Sequence, residues 1–372
     1  IIDFYVSIIN SKNLKKKIKD LTSTSKEKDL HYIKRKKIFF FNFSSSLVFL
    51  YSIFFKSKFQ KNKMSLLICL PESLDTGVLK KELLSIETNL KVEISPEEVK
   101  NNEKVEFAVV WNHPSGILLK YPNLKAILAY GHGVDSVIKD TKLPKGVPIV
   151  RLKSEAMAYS MNEYLLAVVL LYKRRLNEHL NNSEKFEWGV SSRLNINSIG
   201  ILGLGFLGKS AANYFSRIGF NVSGWSRTKK KLKNIRSFTG NKGLINMLRE
   251  TDFLINLLPL TAKTKFLLNA KTLSKLKRGS FLINAGRGET LKEIDLIPLL
   301  DSGNLSGACL DVFQTEPLPK KHPFWKHKKI LITPHNSSIT PHSSAAPQIV
   351  ENYRRAISGK KLLNLVNLKH GY

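Results

Sequence analysis

Three residues of this 372-residue chain combine types and placement suited to anion and acid–base chemistry: Arg287, Glu316 and His335. Each falls just past an apolar run that reads as a strand, at 280–284, 306–312 and 330–333. In an open parallel sheet, ligands bind beyond the carboxyl ends of the strands, so the shared placement is itself a site argument. The arginine fork matches carboxylate and ketone oxygens. The imidazole titrates near working pH, and a proton donor of that kind typically contributes about 10²- to 10⁴-fold in rate. A glutamate bonded to the other ring nitrogen would fix the tautomer and favour imidazolium. The expected roles are clamp, acid and tuner. Singly, each residue also has an ordinary reading: a surface cation, a Glu-Pro turn, and one of nine histidines, with His322, His327 and His342 as alternatives. No histidine pair has metal-ligand spacing on a helix, and neither a GxSxG elbow nor a cysteine nucleophile context occurs.

A nicotinamide delivers hydride but can neither hold a substrate anion nor supply the proton, so a cation and an acid of this kind are what the protein around one would have to add. Residues 198–229 read as the cradle of such a carrier: a short apolar strand, the turn Gly203-Leu204-Gly205-Phe206-Leu207-Gly208, a helix over 209–218 and a strand over 221–225. The first glycine permits the turn, the second lets backbone approach a pyrophosphate, and the third lets helix pack on strand. An NAD site usually carries Asp or Glu after the second strand. Here the chain reads Trp225-Ser226-Arg227-Thr228-Lys229, followed by Lys230 and Lys231. A hydroxyl and cations in place of a carboxylate suit a 2'-phosphate, so NADP(H) is expected, with NAD(H) as the weaker alternative. The competing reading is a solvated basic turn. Leu258, Pro259 and Ala285, at the ends of strands 253–257 and 280–284, are further expected cofactor contacts.

These residues need a framework to position them. Before the glycine motif, strands at 65–70, 91–94, 107–111 and 126–129 alternate with a helix at 79–86, which suggests a first α/β domain with a parallel sheet. Its last strand leads into Tyr130-Gly131-His132-Gly133-Val134-Asp135-Ser136, where two glycines free backbone N–H groups to hold a carboxylate or simply make a turn. His132, Gly133 and Val134 are the substrate candidates there, and Trp111, His132 and Trp325 the candidate walls. A helix over 156–177, apolar on most faces at YLLAVVLLY and so expected to be buried, crosses into the second domain. That domain continues with helices at 243–250, 270–276 and 292–302 between its strands.

The chain is long enough for two sizeable cores, and 42% apolar with 24% charged residues is the composition of a folded protein. A net charge of +31 would ordinarily raise nucleic acid or an anionic membrane as partner. The excess is dispersed rather than gathered on one face, so neither is expected for residues 64–372. Cys69 and Cys309 lie far apart inside apparent strands, which argues against a disulfide framework and fits a reducing compartment. Residues 1–63 hold 15 Lys and Arg against 4 Asp and Glu, and the run IFFFNFSSSLVFLYSIFF. They are read as upstream or dispensable sequence before Met64, with a membrane anchor or a targeting segment as alternatives.

GLGFLG, INAGRGE, GACLDVFQTEPLP and ITPH, in this order, resemble the D-isomer-specific 2-hydroxyacid dehydrogenases. GHGVDS, GWSRTKK, LINLLPLT and the terminal Gly371-Tyr372 bring the resemblance closer to the glyoxylate/hydroxypyruvate reductase A type. It implies an α/β fold of two Rossmann-like domains with a cleft between parallel sheets, one flavodoxin-like and one dinucleotide-binding. The substrate domain would span 64–160 and be completed by 345–372, with the NADP domain at 161–344. By position, Arg287 resembles the family's substrate arginine, Glu316 its acidic partner and His335 its acid/base. The Gly131–Gly133 turn would bind substrate carboxylate, and Asp311 would lie near the nicotinamide carboxamide. A cytoplasmic homodimer reducing small 2-oxo acids, glyoxylate and hydroxypyruvate foremost, is the implied whole. A D-lactate or phosphoglycerate dehydrogenase and a dinucleotide-sensing corepressor are the rivals. Leu257 stands where many family members have His, a departure that the reductase A type shares.

Overall fold

The computed structural model describes residues 64–189, 192–368 and 371; the readings made for residues 1–63 and for Tyr372 lie outside them. Two parallel sheets organise the described chain. The first has the order β2-β1-β3-β4-β5, built from β1 (Ser65–Cys69), β2 (Lys91–Ile94), β3 (Val105–Val110), β4 (Ala126–Ala129) and β5 (Ile149–Arg151). All six residues of β3 are buried, as a central parallel strand covered on both faces requires. Leu66, Ile68, Phe107 and Val109 fill one face, and Leu67, Ala108, Val110 and Ile127 the other. Helix α1 (Thr76–Ile86) is capped by Asp75, whose carboxylate accepts from Val78 N–H at 2.9 Å, and it turns Leu79 and Leu83 into the first face.

The second sheet is seven-stranded. A short α2 (Asp135–Ile138), then α3 (Glu155–Lys173) and α4 (Leu176–Glu184), precede β6 (Ser198–Leu202), α5 (Phe206–Arg217), β7 (Asn221–Trp225), β8 (Arg236–Phe238), α6 (Gly240–Leu248) and β9 (Phe253–Asn256). After these come α7 (Ala270–Leu273), β10 (Ser280–Asn284), α8 (Leu296–Asp301), β11 (Leu305–Leu310), β12 (Ile330–Ile332) and α9 (His342–Ile357). The strand order β12-β11-β10-β9-β6-β7-β8 reverses direction between β6 and β9. That switch point lies at the glycine turn, where a doubly wound sheet binds its ligand.

Two helices tie the lobes together. Helix α3 places Met157 in the first core and Met161, Leu165, Val168 and Val169 in the second. Helix α9 returns to the first lobe, where Ala345, Ala346, Ile349 and Val350 meet Leu79 and Leu83. Beyond it, Val366 N–H donates to Ile149 O (2.8 Å) and Arg151 N–H to Asn364 O (3.2 Å), so the returning segment covers the β5 edge.

The single helix expected over 156–177 is corrected. It ends at Lys173, because Arg175 takes a left-handed φ of 55° and α4 starts anew. Nor is its apolar centre wholly buried: Ala167 and Leu170 face outward. Strands β5 and β8, three residues each, were not anticipated, and the expected helix over 292–302 is a 3-10 turn at Glu293–Asp295 followed by α8.

Two glycines of the motif differ sharply in surroundings. A Cβ on Gly208 would lie 1.8 Å from the Gly203 carbonyl oxygen, whereas one on Gly205 meets nothing within 4 Å. Gly208→Ala is therefore expected to destabilise by about 1–3 kcal/mol through forced overpacking. The melting temperature should fall by roughly 2–4 °C per kcal/mol. Gly205→Ala should melt with the wild type; equal melting of the two variants by calorimetry would remove this account of the turn.

Candidate active site

The carboxyl ends of β10, β11 and β12 bring the three singled-out residues to one edge. His335 follows β12 with φ 52°, and its N–H donates to Asp311 O at 2.8 Å. Asp311, wholly buried, holds the loop through its carboxylate: Oδ1 accepts from Thr333 Oγ1 (2.7 Å) and Asn336 N–H (2.9 Å), and Oδ2 from Ser337 N–H (3.0 Å). Tyr164 of α3 adds a bond to Thr333 Oγ1 at 2.8 Å. On this base the His335 Nδ1 lies 2.7 Å from Glu316 Oε2, while Glu316 Oε1 accepts from Phe313 N–H at 2.9 Å. Burial alone would raise the Glu316 pKa. The bonds from His335 and Phe313, with the charges of His335 and Arg287, outweigh it and hold the carboxyl below its ordinary range. An ionised Glu316 makes Nδ1 the protonated nitrogen and leaves Nε2 for exchange with a ligand.

Arg287 follows β10 and crosses to the first lobe. Its Nε donates to Asp135 Oδ1 at 2.7 Å and its Nη1 to Gly286 O at 2.7 Å. Its Nη2 lies so close to Gly133 that a Cβ there would be 1.4 Å away. The guanidinium thus rests on the backbone of the glycine turn expected to hold a carboxylate. Within that turn, Gly131 has φ 147° and lies against Trp111, whose ring would be 2.9 Å from an added Cβ. The His132 ring sits 5.7 Å from that of Phe206 and its carbonyl accepts from Arg151 Nη1 at 3.3 Å. Burial first, then the charges of Arg151, Arg287 and Lys153, push the His132 pKa down to about 3, so the imidazole is neutral.

The structure narrows how several of the expected contacts could be made. Val134 is buried in the first core, so its side chain does not reach the cleft and only its backbone can serve a ligand. Leu207 packs against the cores of both lobes, so it too offers backbone rather than side chain. The Leu258 side chain is buried in the second core. The Ser226 hydroxyl donates to Thr228 O at 2.8 Å, which spends its proton within the turn. Trp325 is half exposed with Nε1 bonded to Pro319 O. Of the alternative histidines, His322 faces Glu293, His327 faces Asp301, and His342 bonds Tyr130.

The glycine turn fits a dinucleotide. Gly203 has φ 98° and passes under Leu257, where a Cβ would be 2.9 Å from the carbonyl oxygen. The open space at Gly205 leaves room for a ligand beside α5. That helix starts without a capping side chain or an acid in its first turn, so its N–H groups have no side-chain acceptor. No carboxylate follows β7 before β8.

Asp135 escaped the sequence reading because its partner lies 152 positions away; its only local signal is an acid opening a short helix.

Comparison with known proteins agrees with this geometry. The profile described as "D-isomer specific 2-hydroxyacid dehydrogenase, NAD binding domain" matches residues 166–337. Glyoxylate/hydroxypyruvate reductase A of Yersinia enterocolitica is 38% identical over 279 residues, 73% of this chain and 89% of that protein. The Photorhabdus laumondii protein of the same name is 40% identical over the same shares. Among solved structures, a D-isomer specific 2-hydroxyacid dehydrogenase from Xanthobacter autotrophicus Py2 in complex with NADPH and MES superposes with a TM-score of 0.78 at 36% identity, covering 83% of this chain and 100% of that one. The NADPH-dependent glyoxylate/hydroxypyruvate reductase from Sinorhizobium meliloti, in complex with NADP and sulfate, gives 0.78 at 31% identity and the same coverage. With the two parallel sheets, the glycine cradle and the strand-end residues already in place, these likenesses establish that the chain belongs to the D-isomer specific 2-hydroxyacid dehydrogenases.

Proposed function

We propose that this protein reduces small 2-oxo acids with NADPH, glyoxylate to glycolate and hydroxypyruvate to D-glycerate foremost. The observation that carries the reading is the His335–Glu316 pair at 2.7 Å on the same cleft edge as Arg287 and the Gly133 turn. The names of the relatives support it. NADPH, held by the Gly203–Gly208 turn with Arg227 and Lys229 at its 2'-phosphate, supplies the hydride. Arg287 and the backbone of the Gly131–Gly133 turn hold the substrate carboxylate and orient the ketone. The Nε2 of His335 gives its proton to the ketone oxygen as that oxygen becomes a hydroxyl. Glu316 keeps Nδ1 protonated and steadies the imidazolium between turnovers. Asp311, through the 333–337 loop, sets the height of the His335 ring over the cleft.

A homodimer is the proposed assembly, with Leu176, Leu180, Phe186 and Trp188 as its contact; Phe186 and Trp188 are 97% and 98% exposed. Two buried, free cysteines suit a reducing compartment, and the cytoplasm is the proposed location. Among the described residues no helix is long and apolar enough to cross a membrane.

NADPH oxidation with glyoxylate, hydroxypyruvate and pyruvate tests the reading; pyruvate as the best substrate would replace it. His335→Ala should lower kcat by about 10²- to 10⁴-fold with little change in KM, whereas Arg287→Ala should act mainly through KM. Near wild-type turnover in the His335 variant removes the proton-donor role. Arg227→Ala should narrow the preference for NADPH over NADH, measured as the ratio of kcat/KM values. The depressed Glu316 pKa means that its bond to His335 is complete at neutral pH and is lost only as pH falls through the lowered folded value. The kcat–pH profile should therefore show no Glu316 step above the ordinary value of 4.5.

A further inference from the structure

We infer that Asp135 is a positioning residue: a carboxylate on the first lobe that grips Arg287 of the second and sets the guanidinium in its substrate-holding orientation. The inference rests on the function proposed above and adds a residue to it. Arginine has five N–H donors in a fixed plane. In Arg287 the Nε hydrogen goes to Asp135 and one Nη1 hydrogen to Gly286 O, each at 2.7 Å. Both Nη2 hydrogens and the second of Nη1 remain for a ligand. The plane itself is pressed onto Gly133, where an added Cβ would fall 1.4 Å from Nη2 and 2.6 Å from Cζ. Without the Nε contact, the long side chain would be held by one local carbonyl and would be free to swing away from the turn.

The carboxylate making this grip is itself rigidly mounted. Asp135 opens α2, and the flanking Val134 and Val137 are buried in the first core. Two residues past that helix, Asp140 accepts from Ser115 Oγ at 2.7 Å and from the N–H groups of Gly116 and Lys142 at 2.9 Å, with His113 Nε2 at 3.3 Å. A four-residue helix thus acquires the stiffness of the core behind it. Because Asp135 and Arg287 come from different lobes, their bond also makes the clamp's geometry depend on how the lobes approach. The competing role for Asp135 is local, an acid favouring the start of α2. That role makes no reference to Arg287, so a double-mutant cycle separates the two.

The cycle uses wild type, Asp135→Ala, Arg287→Ala and the double variant, with NADPH binding by fluorescence as the check on folding. Asp135→Ala should lower kcat/KM for glyoxylate about 10- to 100-fold, mostly through KM, as a displaced clamp does. In the Arg287→Ala background the same change should cost less than about twofold. Asp135→Asn, which keeps an acceptor for Nε, should recover part of the loss, and it carries the cycle if Asp135→Ala fails to bind NADPH. Equal losses in both backgrounds, or wild-type kinetics in Asp135→Ala, would overturn the inference. Calorimetric titration of oxalate into the NADP complex repeats the cycle without turnover. A wild type that binds oxalate but reduces no 2-oxo acid refutes the proposed reaction and leaves the clamp readable; one that does neither overturns both.

Discussion

The buried carboxylate of Asp311 is the fixed point on which the candidate site depends. A carboxyl group with no exposed surface is tolerable only when its oxygens are hydrogen-bonded, and here the bonds to it come from one loop, residues 333–337. Satisfying the carboxylate and shaping the loop are therefore a single event. The left-handed φ at His335 follows from it, since Asp311 O accepts the His335 N–H while Asp311 Oδ1 accepts the N–H of the next residue. An aspartate expected beside the nicotinamide thus braces the loop that carries His335 as well. Glu316 then meets an imidazole whose place is already decided.

Electrostatics sets the two histidines of the cleft apart. His132 sits among Arg151, Lys153 and Arg287 and is kept neutral by burial and by those charges. Under the proposed function, the attraction of the cleft for an anion thus comes from guanidinium and ammonium groups rather than from His132. The proton donor proposed for the chemistry, His335, lies on the other lobe, where its ring has a carboxylate partner.

Much of this was legible in the sequence, for identifiable reasons. Continuous apolar runs such as FAVVW and SFLIN announce buried parallel strands, and the polar residues just beyond them mark the ligand edge, which is why Arg287, Glu316 and His335 stood out. The glycine turn was legible because three glycines at fixed spacing between a strand and a helix form a compact signal, two of them pressed against backbone and Gly205 left open. What stayed hidden was either too short for a periodic signal, as in β5 and β8, or encoded in pairings remote along the chain, as with Asp135 and Arg287. Side-chain direction was hidden too. Val134 and Leu207 occupy positions in the two glycine turns, yet their side chains pack into cores. The break at Arg175 had no glycine or proline to announce it.

The first lobe is assembled from two distant stretches of chain. Its strands begin at Ser65, but its core is closed by α9, its β5 edge is covered by residues 364–366, and the Tyr353 hydroxyl donates to Met64 O at 3.2 Å. A ribosome making this protein therefore releases the two lobes in an order opposite to their order in sequence. The nucleotide lobe has all its strands by residue 332, while the lobe that was started first waits, with an open hydrophobic face, for the last helix to emerge. Truncation near the carboxyl terminus would for the same reason injure the amino-terminal lobe first.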